Sequence, residues 1–365
     1  MDGTPHWSCE TITSATKLDQ PQRPPKAVTS RACRLSGAKG AESSAPRSGA
    51  YVRGRLGDRH GLCEAAGVVD GLLDGVREGR LQRPDGRTVA WSEWGESDGE
   101  PVLRVPGTPG CRFSVRADRS PWQARNLRMI TTERPGFGAS TRLPGRGFAE
   151  PADDLAALLD QLGLESLRLI GASGSAPHQL AFAARHPSRV RAMTILVGAA
   201  PTTEEEEERE IGLNRQVHHL LRAGDQAGVR QLLTETREAL LADPLASFLA
   251  FMDKAPEADR EVMADPRWQE SLTVSVREAL RQGIDGWFDE GLALSGDWQD
   301  VDPAAVRTSL TWWHAGSDAN VPLSAAQRLL ERIPQAQLHL FGDDEGHMAS
   351  FHREGEILDE LLARG

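Results

Sequence analysis

The chain reads as an α/β protein built on a mostly parallel sheet flanked by helices, with a helical insertion. Three observations predict this. From Gly79 onward, short strand-like runs alternate with helical ones, the pattern of βαβ units. Residues 200–305 break that rhythm, being rich in Glu, Leu and Ala and lacking a convincing strand, after which the strand pattern resumes. At LRLIGASGSAPHQL a strand passes straight into a helix through a turn of small residues.

Taken in order, RTVAWSEWG, PVLRVP and RMITTE carry the apolar and β-branched character of strands, and a Gly/Pro-rich loop follows the second. FAEPADDLAALLDQLGL places Leu155, Leu158, Leu159 and Leu162 at helical spacing, with acidic residues near its start and Gly163 near its end. LRLIGA is a strand, SAPHQLAFAARHP a helix and VRAMTILVG a strand. After the insertion come the strand TSLTWWHAG, the helix PLSAAQRLLERI, the strand AQLHLFG and a helix from about Met348. The expected organisation is an N-terminal extension over 1–75, a core over 76–199, a helical cap over 200–305 and the rest of the core over 306–365.

Residues 1–75 mix Ser, Thr, Pro, Gly and Arg without apolar periodicity, so they cannot bury enough surface to offset the entropy of ordering, and disorder is expected there. An organellar transit segment, a regulatory tail and translated upstream DNA with a true start near Val69 or Val76 are the three readings of this stretch. A mass measurement finding Met1 intact on the native protein would reject the third.

Composition narrows the function classes. At 365 residues with 39% hydrophobic and 26% charged residues, the chain suits one large α/β domain with a subdomain or two ordinary domains, and no apolar run approaches the ~20 residues of a membrane span. Residues 1–60 hold ten Lys and Arg against five Asp and Glu; since the whole chain carries −11, the remainder carries −16. An acidic body without a basic stripe argues against nucleic acid as partner. Three of the four cysteines, Cys9, Cys33 and Cys63, precede the regular part and only Cys111 lies within it, so no disulfide framework is expected. With no secretory signal visible, a cytoplasmic location is expected. The partner is a small-molecule substrate, and no metal or organic cofactor is implied; oligomeric state is left open.

The strand-to-helix turn Gly171-Ala172-Ser173-Gly174-Ser175 is a G-x-S-x-S variant of the nucleophile elbow. A serine hydroxyl is a poor nucleophile near neutral pH and requires a base, plus a carboxylate to orient that base. Asp318 follows one strand in GSDANVP, and His347 follows the next in DDEGHM, so both lie in loops just past strand ends, where open α/β sheets place their sites. Asp343 and Asp344 are competing acids, but they precede His347 too closely to come from a separate strand end.

With RVPGTPG at 104–110, ERPGFGAS at 133–140, the elbow, GSDANVP and EGHM in this order, the chain resembles the α/β-hydrolase superfamily over residues 79–365. The resemblance implies Ser173 as nucleophile, His347 as general base, Asp318 as orienting acid, and the backbone N–H groups of Thr108 and Gly174 as oxyanion hole. It departs from the family pattern at Pro106, where a loop-supporting His is usual, at Ser175, where Gly is commoner, and at Glu133, where Asp is usual. Trp287 and Phe288 resemble the aromatic end of a family cap and are candidates for the substrate pocket; Trp298 nearby has the same character. His178 reads as a packing residue, His314 as core, Cys111 as a buried thiol or pocket residue, and His218, His219 and the run Glu204–Glu210 as solvated surface.

The implied reaction is cleavage of a small-molecule carboxylic ester through an acyl-enzyme. A serine nucleophile argues against the Asp-dependent epoxide hydrolases and haloalkane dehalogenases, and the sole tyrosine, Tyr51, lies outside the regular region. An aminopeptidase resembling proline iminopeptidases, an acyltransferase or perhydrolase, and a C–C bond hydrolase on the same fold are the alternatives, with a non-catalytic binding protein as a further one.

Overall fold

The structure, a computed structural model, describes residues 71–251 and 255–365. The expectations for residues 1–70, including Tyr51, Cys9, Cys33, Cys63 and Val69, lie outside the described residues.

The strands are β1 (Arg77–Gln82), β2 (Thr88–Gly95), β3 (Glu100–Val105), β4 (Leu127–Thr132), β5 (Leu167–Ala172), β6 (Val190–Leu196), β7 (Ser309–His314) and β8 (Ala336–Leu340). They form one sheet in the order β1-β2-β4-β3-β5-β6-β7-β8. The pairs β1–β2 and β2–β4 are antiparallel and every later pair is parallel. The central strands β4, β5 and β6 are buried along nearly their whole length because helices cover both faces. Neighbours in β3 show the alternation of the pleat: Val102 joins the hydrophobic cluster with Trp94, Trp122 and Met129, while Leu103 joins the opposite one with Ile130, Leu169 and Trp312.

The edge strand β1, REGRLQ, carries no apolar run, and its charged residues point alternately outward on an unpaired edge. That is why a search for apolar alternation passes over it. The C-terminal helix starts later than expected. A short 3-10 turn occupies Ala349–Phe351, and the helix itself runs over Glu354–Ala363.

The helices that cover the sheet include α1 (Ser120–Gln123), α2 (Ala149–Leu162) and α3 (Ala176–Arg185), together with the helix Leu323–Leu330 and the C-terminal helix. In α2 the expected leucine stripe faces the core at Leu155, Leu158 and Leu159, and Gly163 closes the helix in the left-handed region at φ 68°. Between β6 and β7 come α4 (Glu204–Glu207), α5 (Gly212–Arg222), α6 (Gln226–Ala242), α7 (Pro244–Phe251), α8 (Glu257–Ala264), α9 (Pro266–Ala279) and α10 (Asp285–Leu294). Local chemistry sets several of their starts: Thr203 and Glu206 form a capping box on α4, Asp225 caps α6, and Asp265 caps α9 ahead of Pro266. No helix among the described residues is long and apolar enough to cross a membrane.

Candidate active site

β5 ends in extended backbone at Ala172, with φ −127° and ψ 158°, and Ser173 then takes φ 58° before the chain turns helical. A left-handed serine costs about 1–3 kcal/mol, a strain that concentrates where surrounding structure enforces it for a purpose. Its carbonyl accepts from Ala199 N at 3.0 Å, which pins the turn. The two elbow glycines answer to close approach. A Cβ on Gly171 would lie 2.5 Å from Val105 O, and one on Gly174 would lie 2.4 Å from Thr108 Oγ1. Ser175 fits beside Gly171 as a buried side chain whose hydroxyl accepts from Gln179 Nε2 at 3.1 Å.

Asp318 lies in the loop after β7. Its Oδ1 accepts from the amides of Asn320 at 2.8 Å and Val321 at 3.1 Å, while Oδ2 accepts from His347 Nδ1 at 2.7 Å. The backbone bonds turn the carboxylate toward the histidine, and Ser317 Oγ, donating to Asp343 O at 2.8 Å, ties the two loops together. Of the acids weighed from sequence, Asp318 is the one hydrogen-bonded to His347. Burial alone would raise the Asp318 pKa, but the facing imidazole and the hydrogen bonds outweigh it and the net shift is downward. For His347 burial lowers the pKa, and the Asp318 charge and hydrogen bond reverse this to a net rise. Asp259 on α8 braces the same loop, its Oδ1 accepting from Gly346 N and Met348 N at 3.1 Å each.

The loop after β3 carries Thr108 next to the elbow. Arg134 Nη1 donates to Pro106 O at 2.5 Å, and its Nη2 donates to Gly107 O at 2.8 Å and Thr108 Oγ1 at 2.9 Å. Ser173, Gly174, Thr108 and His347 all line one cavity of ≈ 270 Å³. Its far walls come from the β6–β7 helices and are largely apolar, with Leu213, Val217, Leu233, Leu240 and Trp287. Among the described residues the lining contains no Lys or Arg, and its single carboxylate is Glu210.

A sequence profile of the alpha/beta hydrolase fold matches residues 100–353, which spans the elbow, both loops and the helical insertion. The chain belongs to the α/β-hydrolase fold family. Among its relatives is a 2-hydroxy-6-oxo-2,4-heptadienoate hydrolase of Pseudomonas putida, 30% identical over 67% of this chain and 81% of the relative. A 2-hydroxymuconate semialdehyde hydrolase of Pseudomonas putida is 26% identical over 73% of this chain and 89% of the relative. Among solved structures, a thermophilic esterase from Thermogutta terrifontis superposes with TM-score 0.55 at 22% identity, covering 79% of this chain and 98% of that one, which speaks to the fold alone.

Within this α/β hydrolase the residues singled out from sequence divide. Ser173, Gly174, Thr108, His347 and Trp287 line the cavity, and Asp318 stands behind His347. Phe288 is absent from the lining; it is buried with the Arg230 guanidinium 3.8 Å above its ring. Trp298 packs edge-on against Phe148. Cys111 is buried, and burial pushes its thiol pKa up, as suits an inert thiol. His314 is buried between Trp312 Nε1 and Val321 O.

Two expectations about the surface hold only in part: Glu204, Glu205, Glu208 and His219 are exposed, whereas others of the group turn inward. Glu206 is buried against Ser324 and Arg328, and Glu210 and His218 line the cavity with Glu210 Oε2 and His218 Nδ1 3.1 Å apart. A charged run reads as solvated unless the folding of the helices around it is known. Glu290 and Asp259, which help hold the loops, lie in no motif, and Arg134 lies within ERPGFGAS, a string that does not itself reveal its partner.

Proposed function

We propose that this α/β hydrolase is a serine esterase acting on small, uncharged carboxylic esters. The observation that carries the reading is the left-handed Ser173 opening on the same cavity as an imidazole whose Nδ1 is engaged by a buried carboxylate. With Nδ1 bonded to Asp318, Nε2 is the nitrogen left for proton transfer. Ser173 Oγ attacks the ester carbonyl as its proton passes to His347 Nε2, and the Thr108 and Gly174 amides receive the oxyanion. Collapse breaks the bond to the alcohol, which takes the proton from His347. Water, deprotonated by the same imidazole, then attacks the acyl-enzyme; the acid leaves and Ser173 regains its proton. The β6–β7 helices act as the cap that shapes the acyl pocket.

The relatives named for C–C bond substrates offer a second reading. The substrate in the name of the first is an anion, a heptadienoate. A cavity whose described lining has no Lys or Arg and includes Glu210 suits a neutral acyl group better. A carboxylate about 8 Å from Glu210 at an effective dielectric of ~20 is disfavoured by about 2 kcal/mol, which the neighbouring His218 reduces. Turnover of nitrophenyl butyrate beside nitrophenyl hemisuccinate tests both points. A preference of roughly fivefold or more for the neutral ester is expected, narrowing in Glu210→Gln. No ester turnover, with cleavage of a vinylogous 1,5-diketone acid instead, rejects the ester reading.

The pH dependence follows from the histidine. The neutral imidazole is the active base, and its pKa in the free enzyme is raised, so kcat/KM should climb with pH along a limb centred above the ordinary imidazole value of about 6.5. Asp318, shifted downward, stays ionised across that range. A pH profile of kcat/KM flat from 5 to 9 contradicts the assignment of His347 as base.

A further inference from the structure

We infer that Arg134, clamped by Glu290, is the positioning residue that aims the Thr108 N–H into the cavity, in place of the histidine this loop lacks at Pro106. The inference rests on the proposed esterase chemistry, because it concerns the oxyanion hole of that reaction.

Gly107 C=O and Thr108 N–H belong to the same planar trans peptide, so they point in opposite directions. Arg134 Nη2 holds the carbonyl at 2.8 Å, and its Nη1 holds the preceding carbonyl, Pro106 O, at 2.5 Å. A rigid guanidinium fork bonded to two successive carbonyls leaves the loop little freedom to rotate. With Gly107 O turned to Arg134, the Thr108 N–H faces away from it, and Thr108 lines the cavity together with Gly174 and Ser173.

The threonine side chain is fixed by the same group. Thr108 Oγ1 accepts from Arg134 Nη2 at 2.9 Å and donates to Glu290 Oε1 at 3.0 Å. Glu290 on α10 is fully buried. It pairs with Arg134 Nε at 2.9 Å and with Arg146, and lies 3.1 Å from His178 Nε2. Burial works against the Glu290 carboxylate, but the two guanidiniums hold its pKa well below the usual range. Burial brings the His178 imidazole down to about 4, so it is neutral near pH 7. The cluster therefore places two guanidinium charges against one carboxylate beneath the loop, a net positive charge beside the position where the oxyanion forms. Because Glu290 comes from the insertion, that insertion anchors the hole as well as covering the site.

The experiment compares wild type, Arg134→Gln, Arg134→Lys and Glu290→Gln on nitrophenyl butyrate. Each is also tested for affinity toward an alkylboronic acid, whose serine adduct carries a tetrahedral oxyanion, and for thermal unfolding. Loss of a correctly aimed donor predicts a fall of about 100-fold in kcat for Arg134→Gln with KM within threefold, and a parallel fall in boronate affinity. Arg134→Lys, which keeps the charge but can hold only part of the fork, is expected to recover roughly a tenth or more of wild-type kcat, and it serves as the folded variant should Arg134→Gln unfold. Glu290→Gln is expected to fall between the two. A folded Arg134 variant with kcat and boronate affinity both within threefold of wild type overturns the inference while leaving the esterase reading intact. A wild type that neither turns over esters nor binds the boronate overturns the esterase reading itself.

Discussion

Replacing Ser173 with alanine is expected to lower kcat for a nitrophenyl ester by about 10⁶-fold, to the residual rate that binding and the oxyanion hole alone supply. The size follows from what is removed. Ser173 provides the attacking oxygen, and no other hydroxyl occupies the elbow position between β5 and α3. Ser175, two residues on, points its hydroxyl to Gln179 and is buried, so it is not a substitute. The fold should survive, since alanine removes one oxygen and the turn is held by backbone contacts such as Ala199 N to Ser173 O. An alanine in the left-handed region keeps the same backbone strain, so thermal stability is expected to change little. Burst and steady-state kinetics on the purified pair measure the effect; a variant retaining a tenth of wild-type kcat would transfer the nucleophile elsewhere.

The second large effect belongs to Asp318→Asn. The substitution preserves shape but offers an amide where His347 Nδ1 needs a carboxylate acceptor, favouring the wrong tautomer, and a fall of about 10⁴-fold in kcat is expected. The sign of the accompanying pH shift is fixed by the forces on His347. Burial lowers its pKa, and the Asp318 charge and hydrogen bond are what raise it. Without that charge the residual acid limb should move to lower pH. Asp259, which faces the histidine from α8 and also favours its charged form, limits the displacement. A variant with an unmoved limb and full kcat would show that Asp318 only supports the loop through its bonds to Asn320 and Val321.

Much of this site was legible in the sequence because its parts are local. The elbow announces itself through small residues between a strand and a helix, and Asp318 and His347 each follow a strand end that their flanking aliphatic runs mark. What stayed hidden depends on how distant segments meet. The pairing of Arg134 with Glu290 joins the loop after β4 to the last insertion helix, and a lone arginine and a lone glutamate have no local pattern that matches them. Glu210 and His218 have a surface-like local sequence, yet the segment between α4 and α5 and the helix α5 itself fold along the cavity. Trp287 and Phe288 are consecutive on α10, about 100° apart around the helix axis, so one can face the cavity while the other turns to Arg230. The strand β1 escaped notice because an edge strand need not be apolar.

The central claim is that Ser173 is a nucleophile activated by His347, and the most direct test is covalent. Wild-type protein and the variants Ser173→Ala and His347→Gln would be treated with a fluorophosphonate and analysed by intact mass and peptide mapping. The account predicts a single adduct on the peptide carrying Ser173, no adduct in Ser173→Ala, and labelling slowed by several orders of magnitude in His347→Gln. An unmodified wild type, or an adduct on another residue that persists in Ser173→Ala, would contradict it.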